Sequence, residues 1–396
     1  MWLINGSVYL AEQGFCDRDL LLRNGIIERI VPRGEYTKEA HLQAEEAADM
    51  QGGQVTDVQG EEVEDVQGAV ILPGLVDIHF HGCAGHDFCE GTNEAFSAIE
   101  QYELRHGITT FSPATMTLPA ERLSDICAAA AAYAEGSACL KGIYLEGPFL
   151  SEAKKGAQNS AYLRRADAGM LRGLIAESGG LAKIAAIAPE TEGAVDCIRE
   201  CADEIRFSIA HTTADYRTCV EAMRSGASQV THLYNAMPPF THREPGVIGA
   251  AFDCCADVEL ISDGVHVDPC AVRAAFRLFG EKHVILISDS MMAAGMPDGM
   301  YELGGQAVRV CGNTARLSDG TIAGSVTNLY DCMVTAIRMG IAPEAAVRAA
   351  TKNPAAAIGV DDECGSIEAG KKADLLVVSR DWTLKRVYKC GREISM

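Results

Sequence analysis

Two histidines one residue apart are the first residues in this sequence with an evident chemical use. His79 and His81 follow an apolar run that extends from Val70 to Ile78. On a β-strand, residues i and i+2 lie on the same face, so the two imidazoles can converge on one point. Neutral imidazoles are common ligands of divalent metals. The pair predicts a metal site at the end of this strand, although a His-x-His pair by itself is equally compatible with two unliganded loop histidines.

Other residues that bind metals or transfer protons also follow short apolar runs. Each run is followed by polar or glycine-rich residues and then by a stretch with helical periodicity. The residues found after these runs are His79, His81, Glu146, His211, His232, His266 and Asp289. Half of the 10 histidines of the chain are in this set. Random placement would rarely produce this distribution, so the sequence predicts that these side chains meet at one site.

The alternation of strands and helices determines where such a site would form. Alternating strand and helix patterns predict an α/β fold with parallel strands. Eight such strands between residues 70 and 359 predict a closed (β/α)8 barrel of the TIM type, whose catalytic groups lie at the C-terminal ends of the strands. An open doubly wound sheet is the alternative, but such a sheet usually has a glycine-rich phosphate turn after its first strand. No such turn follows Ile78.

The two ends of the chain predict a second, smaller domain. Residues 1–69 contain short strands separated by Asn-Gly turns, which favour hairpins, and residues 360–396 contain further apolar strands. We therefore expect a discontinuous β-sandwich domain built from both ends, and a barrel domain over residues 70–359. Residues 39–68 are acidic and contain the sequence Asp-Val-Gln-Gly twice. We interpret them as a surface insertion without a catalytic role.

The composition restricts the classes of partner. The chain has 396 residues and a formal net charge of -21, which disfavours nucleic acids and anionic membranes because both are negatively charged. The first 20 residues lack the basic start of a signal peptide, and no apolar run approaches the roughly 20 residues of a membrane span. The 15 cysteines are scattered and include no Cys-x-x-Cys pair, which favours reduced thiols. We expect a cytoplasmic protein.

Longer motifs resemble those of the amidohydrolase superfamily and, within it, the deacetylases of N-acetylated amino-sugar 6-phosphates. The matching stretches are residues 73–82, 145–149, 154–157, 210–212, 231–237, 243–246, 262–266, 288–289 and 323–325, with a tail from 353 to 375. The stretches Leu-Glu-Gly-Pro and His-Leu-Tyr-Asn-Ala-Met are fairly specific to these deacetylases, whereas His-x-His marks only the wider superfamily. The resemblance extends over nearly the whole chain.

This resemblance implies a reaction, a cofactor and an assembly. The reaction is hydrolysis of the N-acetyl group of N-acetyl-D-glucosamine 6-phosphate to D-glucosamine 6-phosphate and acetate. The cofactor is a divalent metal, one or two ions per chain, with zinc preferred over ferrous iron or manganese. The assembly is a homodimer. Two alternatives stay open: the C4 epimer N-acetylgalactosamine 6-phosphate as the substrate, and a catalytically inactive scaffold with the same fold.

The resemblance also implies roles for individual residues. Glu146, His211 and His232 bind the main metal, and His79 and His81 bind a second metal that Glu146 bridges to the first. Asp289 is the general acid and base, and His266 stabilises the oxyanion. The implied substrate contacts are Ala157, Asn235, Ala236, Arg243, His266, Ile322, Ala323 and Gly324.

At Arg243 and Gln158, the expected contact depends on the chemistry of the side chain. Arg243 is expected to bind the phosphate, because a guanidinium group matches the geometry of phosphate oxygens. Relatives often carry histidine where this chain has Gln158. A glutamine can form hydrogen bonds but cannot be protonated, so we expect no histidine-type contact at this position.

Overall fold

The computed structural model describes residues 1–35 and 62–395. Most of the predicted acidic insertion, up to residue 61, lies outside the described residues. The chain separates into two compact units, of which one comprises Met1–Gly74 with Asp361–Met396 and the other Leu75–Val360. Among the described helices, none has both the length and the apolar character needed to cross a membrane.

The secondary structure follows the alternation that the sequence predicted. The strands are β1 (Trp2–Leu10), β2 (Gly14–Arg23), β3 (Ile26–Pro32), β4 (Val63–Asp65), β5 (Val70–Pro73), β6 (Leu75–Asp77), β7 (Gly82–Cys83), β8 (His86–Asp87), β9 (Ile108–Phe111), β10 (Ile143–Leu145), β11 (Ala182–Ile187), β12 (Arg206–Ile209), β13 (Ala227–Val230), β14 (Asp257–Ile261), β15 (Val284–Ile287), β16 (Gly299–Leu303), β17 (Gln306–Cys311), β18 (Thr314–Arg316), β19 (Leu375–Val378), β20 (Leu384–Lys389) and β21 (Arg392–Glu393). The α-helices are α1 (Asn93–Arg105), α2 (Ala120–Ala134), α3 (Ala168–Glu177), α4 (Ala194–Cys201), α5 (Tyr216–Arg224), α6 (Gly246–Asp253), α7 (Pro269–Phe279), α8 (Leu329–Arg338), α9 (Pro343–Ala350) and α10 (Lys352–Ala357). Short 3-10 helices span Phe88–Glu90, Glu152–Lys154 and Ser160–Tyr162.

The unit formed by the two chain ends contains one hydrogen-bonded sheet. Its strand order is β21-β20-β19-β5-β1-β2-β3, and β4 pairs with β1. Its core joins apolar side chains from both ends of the chain, such as Leu20, Ile71 and Leu375. The N–H of Ala373, just before β19, donates to the carbonyl of Gly25, just before β3, at 2.9 Å.

The other unit is an α/β structure with parallel strands, which confirms the predicted fold class. Strands β10 to β15 form a parallel sheet in sequence order, and β6 pairs with β9 in parallel. Parallel bridges from Phe111 to Leu140 and from Ala114 to Tyr144 connect the β9 region with β10. The strand Val284–Ile287 is apolar and buried throughout, as expected when both faces of a parallel sheet are covered.

The first strand of the sequence prediction differs in detail. The run from Val70 to Ile78 is not a single strand, because it divides at Gly74 into β5 and β6, which belong to different sheets. His79 and His81 follow β6 in irregular backbone. The expectation that both lie on one strand is therefore wrong, and their positions depend on the loop after the strand.

A small sheet that was not predicted from the sequence is inserted after β15. Strands β16, β17 and β18 form an antiparallel sheet with its own core, which includes Leu303, Val308 and Ala323. This sheet brings Leu303 and Ile322 to the wall of the cavity described below.

Candidate metal centre and active site

The predicted site residues lie directly after the parallel strands. Glu146 directly follows β10, while His211, His232 and Asp289 each lie two residues after the end of β12, β13 and β15. Three of these four residues have positive φ values, 44° for His211, 30° for His232 and 47° for Asp289. Such backbone strain in residues other than glycine is uncommon and is concentrated at functional sites. The backbone therefore turns sharply at these three residues.

The carboxylate of Glu146 is at the centre of the site. Its Oε1 atom lies 3.1 Å from Nε2 of His211, 3.3 Å from Nε2 of His232 and 3.4 Å from Nε2 of His79. The Glu146 residue is 2% exposed. Three imidazole nitrogens and one carboxylate oxygen thus converge on a small buried volume.

The second oxygen of the same carboxylate faces a different group. Oε2 of Glu146 lies 3.3 Å from Nε2 of His81. The same nitrogen lies 3.4 Å from Oδ1 of Asp289, and Nε2 of His79 lies 3.8 Å from that oxygen. Glu146 therefore separates a His211–His232 side of the site from a His81–Asp289 side.

These residues fit a divalent metal by their chemistry and their spacing. In each of two sets, Glu146 with His211 and His232, and His79 with His81 and Asp289, the potential ligand atoms lie within 4.8 Å of one another. Nε2 of His79 is buried and has no hydrogen-bond partner among the described residues, a costly state for a polar atom. Imidazole nitrogens with a carboxylate oxygen form the usual donor set of a catalytic zinc site with an open position.

The protonation behaviour of the cluster also indicates a site that holds positive charge. Burial raises the pKa of the Glu146 carboxyl, but the surrounding histidines outweigh burial and hold it well below its usual range. Burial lowers the pKa of the His81 imidazole, but hydrogen bonds to Asp289 and Glu146 outweigh it and raise the value to about 10. The negative charges of Glu146 and Asp289 therefore favour positive charge on the neighbouring imidazoles. A proton and a metal ion compete for the same imidazole nitrogen atoms.

Further buried groups fix the orientation of the imidazoles. Nδ1 of His79 lies 2.8 Å from Oε2 of Glu259, and Nε2 of Gln229 donates to Oε1 of Glu259 at 2.5 Å. Nδ1 of His211 donates to the carbonyl of Lys154 at 2.8 Å. Such contacts select the tautomer that leaves Nε2 available to a metal. Glu259 was not predicted as a site residue, although a carboxylate inside the apolar run of β14 is a signal that the sequence contains.

His266 is oriented in the same way by a neighbouring carboxylate. Its Nδ1 atom lies 2.7 Å from Oδ2 of Asp263, and Oδ1 of Asp263 accepts the backbone N–H groups of Val265 and His266. Burial lowers the pKa of His266, but the hydrogen bond and charge of Asp263 outweigh burial and raise it. The raised pKa makes it easier for His266 to carry a second proton on Nε2 while Asp263 holds the proton on Nδ1.

A cavity of about 360 Å³ joins these groups. Besides the metal-site residues, its walls include several predicted substrate contacts, namely Ala157, Asn235, Ala236, His266, Ile322 and Gly324. Ala323 was predicted as a contact as well, but its side chain is fully buried in the core of the inserted sheet. The chain backbone at Gly324 has a φ of +69°, which suits a glycine beside a cavity.

Arg243 does not lie with the other predicted contacts. It is exposed and lines a separate cavity of about 330 Å³ together with Asp215 and Arg217. The loop after His232 carries it away from the metal-site cavity. The lysine that lines the metal-site cavity is Lys154, whose Nζ donates to the carbonyl of Met237 at 3.3 Å.

The sequence is similar to those of known proteins. The model of the amidohydrolase family matches residues 70–394. An N-acetylglucosamine-6-phosphate deacetylase from Bacillus subtilis (strain 168) is 40% identical over 331 residues, which cover 79% of this chain and 81% of the relative. An N-acetylgalactosamine-6-phosphate deacetylase from Escherichia coli O157:H7 is 33% identical over 332 residues, which cover 82% and 87% of the two chains.

The fold is also similar to those of solved structures. A variant of N-acetyl-D-glucosamine-6-phosphate deacetylase from Mycobacterium smegmatis, in complex with N-acetyl-D-glucosamine-6-phosphate, superposes with a TM-score of 0.87 at 28% identity and covers 99% of this chain and 98% of its own. The chain belongs to the amidohydrolase family. The resemblance that the sequence motifs predicted is confirmed.

Proposed function

We propose that this protein hydrolyses the N-acetyl group of N-acetyl-D-glucosamine 6-phosphate to D-glucosamine 6-phosphate and acetate. The observation that carries the proposal is the convergence of Glu146, His211 and His232 with Asp289 at one cavity. A scaffold without activity would have no need for these buried, strained and mutually oriented groups. The names of the relatives support the amino-sugar phosphate as the substrate class.

Glu146, His211 and His232 would hold the main divalent metal. We propose zinc, with ferrous iron and manganese as alternatives that accept the same donors. A metal bound there would lower the pKa of a water molecule to about 7 and polarise the acetyl carbonyl.

Asp289 would transfer the proton. Burial raises the pKa of its carboxyl, but His81 and the other histidines outweigh burial and lower it, so the group is an anionic base at neutral pH. It would accept the proton of the attacking water as the new carbon–oxygen bond forms. It would then give that proton to the amide nitrogen as the carbon–nitrogen bond breaks. The products are acetate and the free amine.

His266 would bind the oxygen on which negative charge develops. When protonated, His266 would keep its Nδ1–H on Asp263 and could donate its Nε2–H to that oxygen, and a donor fixed in advance stabilises the transition state most effectively. Asn235, Ala236 and Ala157 would contact the sugar phosphate from the cavity wall, with the backbone at 322–324 on the opposite segment.

An acetate assay tests the proposed reaction. Purified protein supplied with zinc, ferrous iron or manganese should release acetate from N-acetylglucosamine 6-phosphate. Its C4 epimer, which is the second candidate because of the Escherichia coli relative, should react more slowly. Absence of acetate release with all three metals would refute the proposed function. Faster release from the epimer would identify N-acetylgalactosamine 6-phosphate as the preferred substrate.

We propose that His79 and His81 hold a second metal, which Glu146 shares with the first. With metal in excess, elemental analysis should give two ions per chain for the unaltered protein and one ion for His79→Ala. His283→Ala, which removes a half-exposed histidine, should keep both ions. One ion in the unaltered protein, together with full activity of His79→Ala, would contradict the second site.

We also propose that the protein is a homodimer in which Arg243 binds the phosphate of a substrate held by the other copy. Arg243 is exposed and is separate from the cavity of its own chain, so it is accessible to a second chain. Arg243→Met should raise KM at least about tenfold, as expected for loss of a hydrogen bond between charged groups, and Arg217→Met at the same cavity should not.

Mixed dimers distinguish this arrangement from an indirect effect of Arg243. Chains carrying Arg243→Met and chains carrying Asp289→Asn, when co-expressed, should recover roughly a quarter of the normal activity, because half of the dimers contain one intact site. Activity no greater than the sum of the two variants, or a monomeric protein in light scattering, would contradict the proposal.

We further propose that the eight parallel strands close into the predicted (β/α)8 barrel. The N–H of Asp289 donates to the carbonyl of His79 at 3.0 Å, and the N–H of His81 donates to the carbonyl of Ser290 at 2.7 Å. These bonds connect the residues after the last parallel strand with those after the first, as closure of a barrel requires. The barrel domain, predicted over residues 70–359, would then begin at Leu75, because Val70–Pro73 pairs within the sheet of the terminal unit.

We propose that the terminal unit, Met1–Gly74 with Asp361–Met396, is the β-sandwich that was predicted over residues 1–69 and 360–396. Side chains of strands far apart in the sheet, such as Ile27 and Tyr388, belong to one core. A flat sheet would hold them several strand spacings of about 4.8 Å apart. A sheet folded over on itself explains the shared core.

A further inference from the structure

A buried glutamine contacts the carboxylate at the centre of the site. Nε2 of Gln158 donates to Oε2 of Glu146 at 2.6 Å, and Gln158 is 2% exposed. The backbone N–H of Thr117 donates to Oε1 of Gln158 at 2.7 Å. Since a backbone N–H can only donate, the amide oxygen must face Thr117 and the amide N–H must face Glu146. The glutamine is therefore a fixed donor to Glu146.

Glu146 needs such a donor to maintain one orientation. The last torsion of a glutamate side chain is broad, without the narrow wells of the other torsions. Rotation about it would tilt the carboxylate plane, in which one oxygen faces His211 and His232 while the other faces His81. The bond from Gln158 resists this tilt, because it engages the oxygen that faces His81.

We infer that Gln158 is a positioning residue, which holds the Glu146 carboxylate in the orientation in which Oε1 faces His211 and His232, where these three residues would bind the main metal. This inference rests on the proposed metal-dependent hydrolase and assigns a role to a side chain whose expected function was at most a contact with the substrate. Its amide oxygen and one amide hydrogen are both occupied by protein atoms. Groups that orient a metal ligand typically affect metal affinity about tenfold to a hundredfold.

Metal affinity in variants of the full-length protein tests the inference. Gln158→Met keeps the length of the side chain and removes both polar ends. In this variant, the dissociation constant of the most tightly bound zinc ion should rise about tenfold to a hundredfold. Competition with a chromophoric chelator measures this constant. The absorption spectrum of the cobalt-loaded variant should change as the carboxylate reorients. With saturating metal, KM for the sugar phosphate should stay within about threefold, since the polar atoms that this variant removes are engaged by Thr117 and Glu146.

Two further variants separate positioning from general disturbance. Gln158→His retains a ring N–H donor and should restore most of the zinc affinity. Gln306→Met is the matched control, because the amide of Gln306 donates to the carbonyl of Ala157 in the same turn without contacting a metal-site residue. It should leave zinc affinity within about threefold of the unaltered protein.

Three outcomes would overturn the inference. They are an unchanged zinc affinity in Gln158→Met, an equal loss of affinity in Gln306→Met, and a rise in KM at saturating metal with zinc affinity preserved. The last outcome would make Gln158 a substrate contact. Failure of the proposed function is recognised independently, because the unaltered protein would then release no acetate while its metal titration stayed measurable.

Discussion

Asp289→Asn should abolish turnover while the main metal stays bound. Asparagine has the size of aspartate and is tolerated in the left-handed backbone region, where Asp289 has a φ of 47°. It cannot accept the proton of the attacking water or deliver it to the leaving amine. General acid and base catalysis contributes about 10²- to 10⁴-fold to a rate. Because one carboxylate serves both steps, we expect kcat to fall at least about a thousandfold.

The measurement combines acetate release with elemental analysis of the same sample. Asp196→Asn, on the exposed face of helix α4, is the control and should keep normal activity. The main metal should stay in place because Asp289 belongs to the set with His79 and His81, not to the set with Glu146. Activity of Asp289→Asn within about tenfold of the unaltered protein would refute the role of Asp289 as acid and base.

Glu146→Gln should remove both metal and activity. The carboxylate is the anionic member of the main set and faces imidazoles on both sides. A neutral amide offers its oxygen to one side at most and directs N–H donors to the other. Removal of one partner from a buried charged network costs about 3–5 kcal/mol, equivalent to a loss of more than a hundredfold in metal affinity. We expect kcat to fall at least about a thousandfold at ordinary metal concentrations.

Metal affinity is the direct readout for this variant. The zinc dissociation constant of Glu146→Gln should rise more than about a hundredfold, whereas Glu152→Gln, an exposed glutamate in the segment that follows, should bind zinc normally. Normal zinc binding by Glu146→Gln would mean that the histidines alone hold the metal. That result would also remove the basis for the positioning role of Gln158.

The types of residue at the site and their order along the chain could be predicted from the sequence. Each candidate follows an apolar run, and the run predicts a strand by local periodicity alone. The structure has strands at these runs and brings Glu146, His211, His232 and Asp289 to one cavity. Parallel strands gather their C-terminal ends at one edge, so local patterns are sufficient to predict this convergence.

The break in the first strand could not be predicted in the same way. The run from Val70 to Ile78 is apolar except for Asp77, yet it divides at Gly74 between two sheets. Hydropathy reports burial, and both halves are buried. The assignment of each half depends on its pairing partners, β19 and β1 for one half and β9 for the other, which are distant in sequence.

The location of Arg243 was also decided by tertiary structure. Its proximity to His232 in sequence suggested a shared cavity, but the intervening loop leads it to a different one. Loop direction depends on backbone torsions that residue types constrain weakly. Short sequence separation is therefore a poor guide to shared sites when the connecting segment is irregular.

The sequence by itself determined the donors of this protein: histidines and carboxylates after the strands of an α/β fold, in an acidic chain with one His-x-His pair. Only the tertiary structure decided how these donors are oriented. Glu259 holds His79, and Gln158 holds one oxygen of Glu146. The physical reason is that orientation depends on side-chain torsions and on hydrogen bonds between different segments. The type of each metal-binding residue is given by the sequence, whereas the direction in which its donor atoms point is determined by packing.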